Sequence, residues 1–133
     1  MKKGALEEFC SKLNRFSVRE LEIDELKEIL FELQNKEIYQ NILNPKQEDF
    51  EHFSVSVEDQ IEHLAEKEMI VRNEKYMFIL HSSKKMQEIR ETLSHEERVL
   101  YNQMISEYIY LMKEKQKQKE QNKKLIKNPF RLK

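Results

Sequence analysis

The stretch SVSVEDQIEHLAEKEMIVRNEKYMFIL, residues 54–80, changes its hydrophobic period in the middle. Val57, Ile61, Leu64 and Ala65 recur at three- and four-residue spacing, one face of a short helix that runs to about Lys67 with Ser54 or Ser56 as its cap. After it, Met69-Ile70-Val71 and Tyr76-Met77-Phe78-Ile79-Leu80 are β-prone runs on either side of Arg72-Asn73-Glu74-Lys75, whose polar residues suit a hairpin turn. No other part of the chain carries a credible strand signal. With one Gly and two Pro in 133 residues, glycine turns and multi-stranded all-β architectures have almost no material. The expected fold class is therefore mainly α: a helical domain with one β-hairpin and a long C-terminal helix.

Upstream, Ala5, Leu6, Phe9, Cys10, Leu13 and Phe16 form the apolar stripe of a helix over about residues 3–15. Ser17 and Glu20 have capping-box spacing ahead of Leu26, Ile29, Leu30 and Leu33, and the stripe continues into Ile38, Tyr39, Ile42 and Leu43. This is either one helix or two broken near Asn35, and Asn44-Pro45 ends it. Lys46–Phe53 is acidic and without clear period, so it reads as a loop or short turn. Downstream, Ser82 or Ser83 opens a helix with Met86, Ile89 and Leu93 inside, and Ser94 with Glu97 is a second capping-box match that starts a long helix. Along it, Val99, Leu100, Tyr101, Met104, Ile105, Tyr108, Ile109, Leu111 and Met112 cover more of the circumference than one packing face needs. Such a helix is buried on two sides or pairs with a second subunit, and Tyr101, Tyr108, Leu111 and Met112 are the residues expected at a homodimer interface.

The helix order with a two-stranded hairpin resembles a winged helix-turn-helix module, with Leu64, Met69 and Ile70 at the helix-final leucine and the apolar entry to the wing. The stretch HSSKKMQEIRETLSHEERVLYNQMI that follows is similar to the long helices after the wing in MarR-type and PadR-type regulators, where they form a dimer. The resemblance covers about residues 54–109. It implies a winged-helix-like, DNA-binding regulator of transcription or replication, with Arg72, Asn73 and Lys75 at the wing tip and Lys84 and Lys85 beyond it as the nucleic-acid contacts. Two departures stand against it. Glu68 occupies the position where such families usually have glycine, and the helix that would enter a major groove presents Glu58, Asp59, Glu62, Glu66 and Glu68 against Lys67 and His63. Phosphate contacts supply most of the affinity of DNA binders, so either the reading element lies elsewhere or this winged helix binds protein. In the second case Glu58, Glu62 and Glu66 are the expected contacts to a basic protein partner, as in an accessory or inhibitory factor.

Charge divides the chain. Met1–Tyr110 carries 15 basic and 23 acidic residues, Leu111–Lys133 nine basic and two acidic. The expected division is a single domain over residues 1–112 and a basic tail over 113–133, helical or disordered, which either touches an anionic partner or folds back on its own acidic body. Hydrophobic residues make up 38% and charged residues 37%, enough apolar content to fold. No apolar run approaches the roughly 18 residues needed to span a bilayer, and Met1–Phe16 is charged where a signal peptide would be apolar. With Cys10 the only cysteine, a cytoplasmic location without membrane contact is expected.

No reaction can be assembled from these residues. His52, His63, His81 and His95 lack metal-ligand spacing, so neither metal nor cofactor is expected. Cys10 lies on an apolar face, where a thiol is a small core residue rather than a nucleophile. Glu7-Glu8 and Glu96-Glu97 are adjacent and point apart on helices, a poor arrangement for paired acid–base work. The chain is expected not to be an enzyme.

Overall fold

The computed structural model describes residues 4–43, 46–80 and 94–127, with side chains as far as residue 119. It is mainly helical with a small antiparallel sheet, as the periodicity predicts. In chain order the elements are α1 (Ala5–Arg15), β1 (Glu20–Glu22), α2 (Ile23–Leu33), a 3-10 turn (Glu37–Tyr39), α3 (Gln40–Leu43), α4 (Phe50–Glu66), β2 (Ile70–Arg72), β3 (Tyr76–Ile79) and α5 (His95–Lys127). Expectations for residues 82–93, including Lys84 and Lys85, lie outside the described residues.

Helix α1 carries Glu7 and Glu8 in its first turn and Lys12 and Arg15 in its last, the polarity that suits the helix dipole. Leu6, Phe9, Cys10 and Leu13 are buried, as their spacing predicts. Ser17 departs from expectation. Its φ of 62° is left-handed, with Val18 N–H donating to Leu13 O (3.1 Å) and Ser17 N–H to Asn14 O (3.1 Å), a helix C-terminal motif that usually places glycine at the left-handed position. Ser17 therefore ends α1 instead of capping α2, and no capping box forms with Glu20.

Residues 20–22 instead pair as a third strand that the sequence reading did not contain. Glu20, Leu21 and Glu22 face Phe78, Met77 and Tyr76, while β3 also pairs with β2 through Ile79–Ile70, Phe78–Val71 and Met77–Arg72, giving the antiparallel order β1-β3-β2. Leu21, Met77, Ile70 and Ile79 are buried on one face. A strand of three residues shows one apolar position, too little for alternation to be visible. Helix α2 follows at once, its first amide, Ile23 N–H, donating to Lys75 O (2.9 Å).

Helix α4 starts earlier than Ser54 or Ser56 would allow. Asp49 caps it, accepting from Glu51 N–H (3.2 Å), and both serines lie inside the helix. Residues 50–53 are thus helix rather than loop, because Phe53 continues the stripe of Val57, Ile61 and Leu64, and Phe50 and Phe53 both pack edge-on against Phe31 of α2 at 5.3 and 5.4 Å. The apolar run of residues 26–43 breaks at Asn35 into α2 and α3.

Ser94 caps α5 as expected: its Oγ accepts from Glu97 N–H (3.2 Å), and the Glu97 carboxylate turns back to accept from the same hydroxyl (3.0 Å) instead of from the Ser94 backbone amide. Tyr101, Met104, Ile105 and Tyr108 of α5 complete one core with α1, α2, α4 and the inner face of the sheet, and the Tyr108 ring meets Phe9 edge-on at 5.0 Å. Helix α5 then continues without a break across residues 112 and 113. Among the described residues no helix is long and apolar enough to cross a membrane.

Candidate interaction surface

Helix α4 leans its apolar stripe on α1 and α2, which leaves the opposite side to solvent. That side carries Glu51, His52, Val55, Asp59, Glu62, His63 and Glu66, all exposed, and neither Lys nor Arg. Val55 is 60% exposed, an apolar residue in the middle of an acidic surface. Glu62 and Glu66, two of the three carboxylates expected to meet a partner, stand together one helical turn apart.

Glu58, the third, is placed differently. It points under the sheet, accepting from Lys27 Nζ of α2 at 2.8 Å and from Nη1 of Arg72 on β2. The Arg72 hydrogen bond, reinforced by Lys27 against the opposing effect of burial, holds the Glu58 carboxyl below the usual carboxylate range. Two residues assigned to opposite binding modes thus neutralise one another. Arg72 and Glu58 tie β2 to α4, and Lys27 adds α2 to the same cluster. Arg72 occupies the inward register of its strand, opposite the buried Met77, so its side chain turns toward α4 and away from the wing surface.

Asn73 shapes the hairpin tip. Its Oδ1 accepts from Lys75 N–H (2.9 Å) and Tyr76 N–H (2.7 Å), satisfying two amides that the turn leaves open. Lys75 is exposed, its Nζ 5.5 Å from the Tyr76 ring centroid. Of the wing cations in the described residues, Lys75 alone faces solvent freely enough to reach a phosphate.

The turn from α4 into β2 is closed by an acidic residue. Glu68 has a φ of 61°, and Met69 N–H donates to Leu64 O (3.0 Å) while Glu68 N–H donates to Ala65 O (3.1 Å). The backbone adopts the left-handed C-cap that a glycine would favour, with a glutamate in it. Nearby, Gln60 of α4 accepts from Leu6 N–H of α1 (3.1 Å) and Lys67 bridges to Glu7 (3.3 Å), so that a cleft of about 320 Å³ opens between the two helices, bounded by Gly4, Glu7, Asp59, Gln60, His63 and Leu64. No spacing rule links Glu7 to Asp59; only packing of α1 on α4 brings them together.

The expected dimer contacts divide. Tyr101 and Tyr108 are 2% and 0% exposed within the single chain, where burial pushes both phenols up, that of Tyr101 further through its hydrogen bond to Glu8. They fill this chain's own core and present nothing to a second subunit. Leu111 and Met112 are half-buried against the same core, and the exposed apolar positions of α5 are Val99 and Tyr110. The helix is apolar on more than one side because it packs on both α1 and α2, the first of the two readings its sequence allowed.

Cys10 is fully buried, and desolvation followed by the nearby Glu7 pushes its thiol up to about 12, the opposite of an activated nucleophile. No family model, curated protein or solved structure matches this chain.

Proposed function

We propose that the chain is a non-enzymatic, winged-helix-like interaction module, acting in the cytoplasm in transcription or replication control, that takes a basic protein partner on the outward side of α4. The layout supports the winged-helix likeness: a helix, a strand, the helices α2 to α4 and a hairpin, with the first strand lying on β3 and the short α3 as an extra turn of helix. The observation that carries the partner class is the α4 surface itself, where Glu51, Asp59, Glu62 and Glu66 are exposed on a helix that has neither Lys nor Arg. A duplex would be repelled there, whereas lysines and arginines of a protein would be attracted and steered.

Titration with a fluorescent Lys/Arg-rich peptide tests this reading. Glu62→Lys with Glu66→Lys is expected to weaken binding at least tenfold, while the same reversal at the exposed Glu37 and Glu74 changes it little. Equal losses would show a general charge effect and remove α4 as the site.

The second reading is a DNA-binding regulator, a homodimer paired through α5. Its specific support is the ordered hairpin tip, where Asn73 presents Lys75 to solvent. Duplex binding that falls with Lys75→Ala and disperses in salt supports it, and light scattering reports the dimer.

A further inference from the structure

Helix α5 has two halves held by different forces. From Leu100 to Met112 its apolar residues other than Tyr110 pack against the core, but the twelve residues 113–124 contain none. The whole helix runs antiparallel to α2: in its first half Glu107 meets Lys36 and Tyr39 beyond the end of α2, and in its second half Lys115 approaches Glu28 and Glu32 of α2 at 3.6 and 3.8 Å, and Lys119 approaches Glu22 of β1 and Glu25 of α2 at 3.3 and 3.5 Å. Lys115 and Lys119 are one turn apart and share a face, and the carboxylates they meet belong to an acidic run, Glu20, Glu22, Asp24, Glu25, Glu28 and Glu32, interrupted only by Lys27 among charged residues. Beneath Lys119 the contact is open: a cleft of about 270 Å³ bounded by Glu20, Glu22, Glu25, Tyr76, Met112 and Gln116 separates helix from sheet. Lys113 and Lys117 remain exposed.

We propose that residues 113–124 of α5 are a polyanion-binding arm that rests on the carboxylates of β1 and α2 and is exchanged from them onto the phosphate backbone of nucleic acid. The resting contact is ionic and partly solvated, so salt and competing anions loosen it. A phosphate row offers the same lysines denser negative charge with release of counterions. A membrane surface is the poorer fit, because residues 113–124 have no apolar face to insert. The arm and its resting place share no residue with the outward side of α4.

The test titrates random-sequence duplex DNA into the full chain at low and moderate salt. Glu22→Gln/Glu28→Gln/Glu32→Gln, which unloads the arm, is expected to tighten binding roughly three- to thirty-fold, the range by which a few exposed ion pairs favour a closed form. Lys115→Gln/Lys119→Gln is expected to weaken it and flatten its salt dependence. Glu51→Gln/Glu62→Gln/Glu66→Gln, of equal charge change on α4, is the control; if it tightens binding as much, net charge explains the effect and the arm does not. Nitroxides at Asp24→Cys and Lys117→Cys supply a measurement that leaves the ion pairs of Lys115 and Lys119 intact, with Cys10 too buried to label. Their separation is expected to lengthen when DNA binds. An unchanged distance with DNA bound, no duplex binding by any variant, or preference for anionic vesicles over duplex each overturns the proposal.

Discussion

Two helices of this protein end in a left-handed residue that is not glycine, and exchanging both for glycine should stabilise it. At Ser17 and Glu68 the φ angles are 62° and 61°, and each site has the paired backbone hydrogen bonds of a helix C-cap. Holding an L-residue with a Cβ in this conformation costs about 1–2 kcal/mol. Glycine removes that strain but adds unfolded-state entropy of about 0.5–1 kcal/mol. The difference leaves about 0.5–1 kcal/mol per site, with little coupling expected because the two caps close different helices. For a domain of this size, Ser17→Gly/Glu68→Gly should raise the midpoint of thermal unfolding by about 3–8 °C. Circular dichroism at 222 nm reads the transition, and urea titration should show a higher midpoint at unchanged slope. Glu68→Ala is the decisive companion, since it removes the charge and keeps the Cβ. If alanine stabilises as much as glycine, the effect is relief of acidic repulsion along α4, and if glycine lowers the midpoint, the backbone argument is wrong.

Tyr108→Phe should be neutral or stabilising by about 1–2 kcal/mol in the same melts, because the Tyr108 hydroxyl is buried without a hydrogen-bond partner among the described residues. Arg72→Ala should destabilise by about 1 kcal/mol, since it leaves half-buried Glu58 with Lys27 alone; a loss of DNA binding in that variant needs a stability control, and an unchanged melt would show that the pair contributes nothing. Glu58 is also expected to shape the acid limb. Its folded carboxyl is held below the ordinary value by Arg72 and Lys27, so its contribution is present above the usual carboxylate range and disappears as pH falls through the lowered value. Glu58→Gln should therefore flatten the fall in stability below about pH 4.5 relative to the parent, and an identical acid limb in both proteins would count against the cluster. Light scattering should give the same mass for Tyr101→Phe as for the parent, because Tyr101 lies in the core of one chain.

Periodicity was informative wherever a helix face was long enough to repeat. The stripes of α1, α2 and α5 and the switch to a hairpin at Ile70 were legible because each shows several apolar positions in phase, and Ser94 with Glu97 was legible because the cap is a local pair. The same local reasoning misread Ser17 and Glu20, whose spacing is right for a cap. Val18 bonds back to Leu13 and Glu20 is drawn into pairing with Phe78, 58 residues away in the chain. Ser54 and Ser56 were expected to cap α4, but the burial of Phe53 against Phe31 carries the helix back to Asp49, which caps it instead.

For the candidate site the boundary falls in the same place. Composition and spacing alone determined a mainly helical chain with one hairpin, an acidic α4 and a basic α5 extension, because these depend on residue type and on neighbours within a turn or two. Tertiary structure alone decided which charges remain available. Glu58 and Arg72 are 14 residues apart yet cancel each other, Lys119 and Glu22 are 97 apart yet touch, and Tyr101 and Tyr108 are hidden because α5 packs on two helices at once. A charge pattern along a chain specifies what each element could attract; only packing brings the competing partner within a few ångströms, where Coulomb attraction outweighs solvent and a binding residue becomes a structural one.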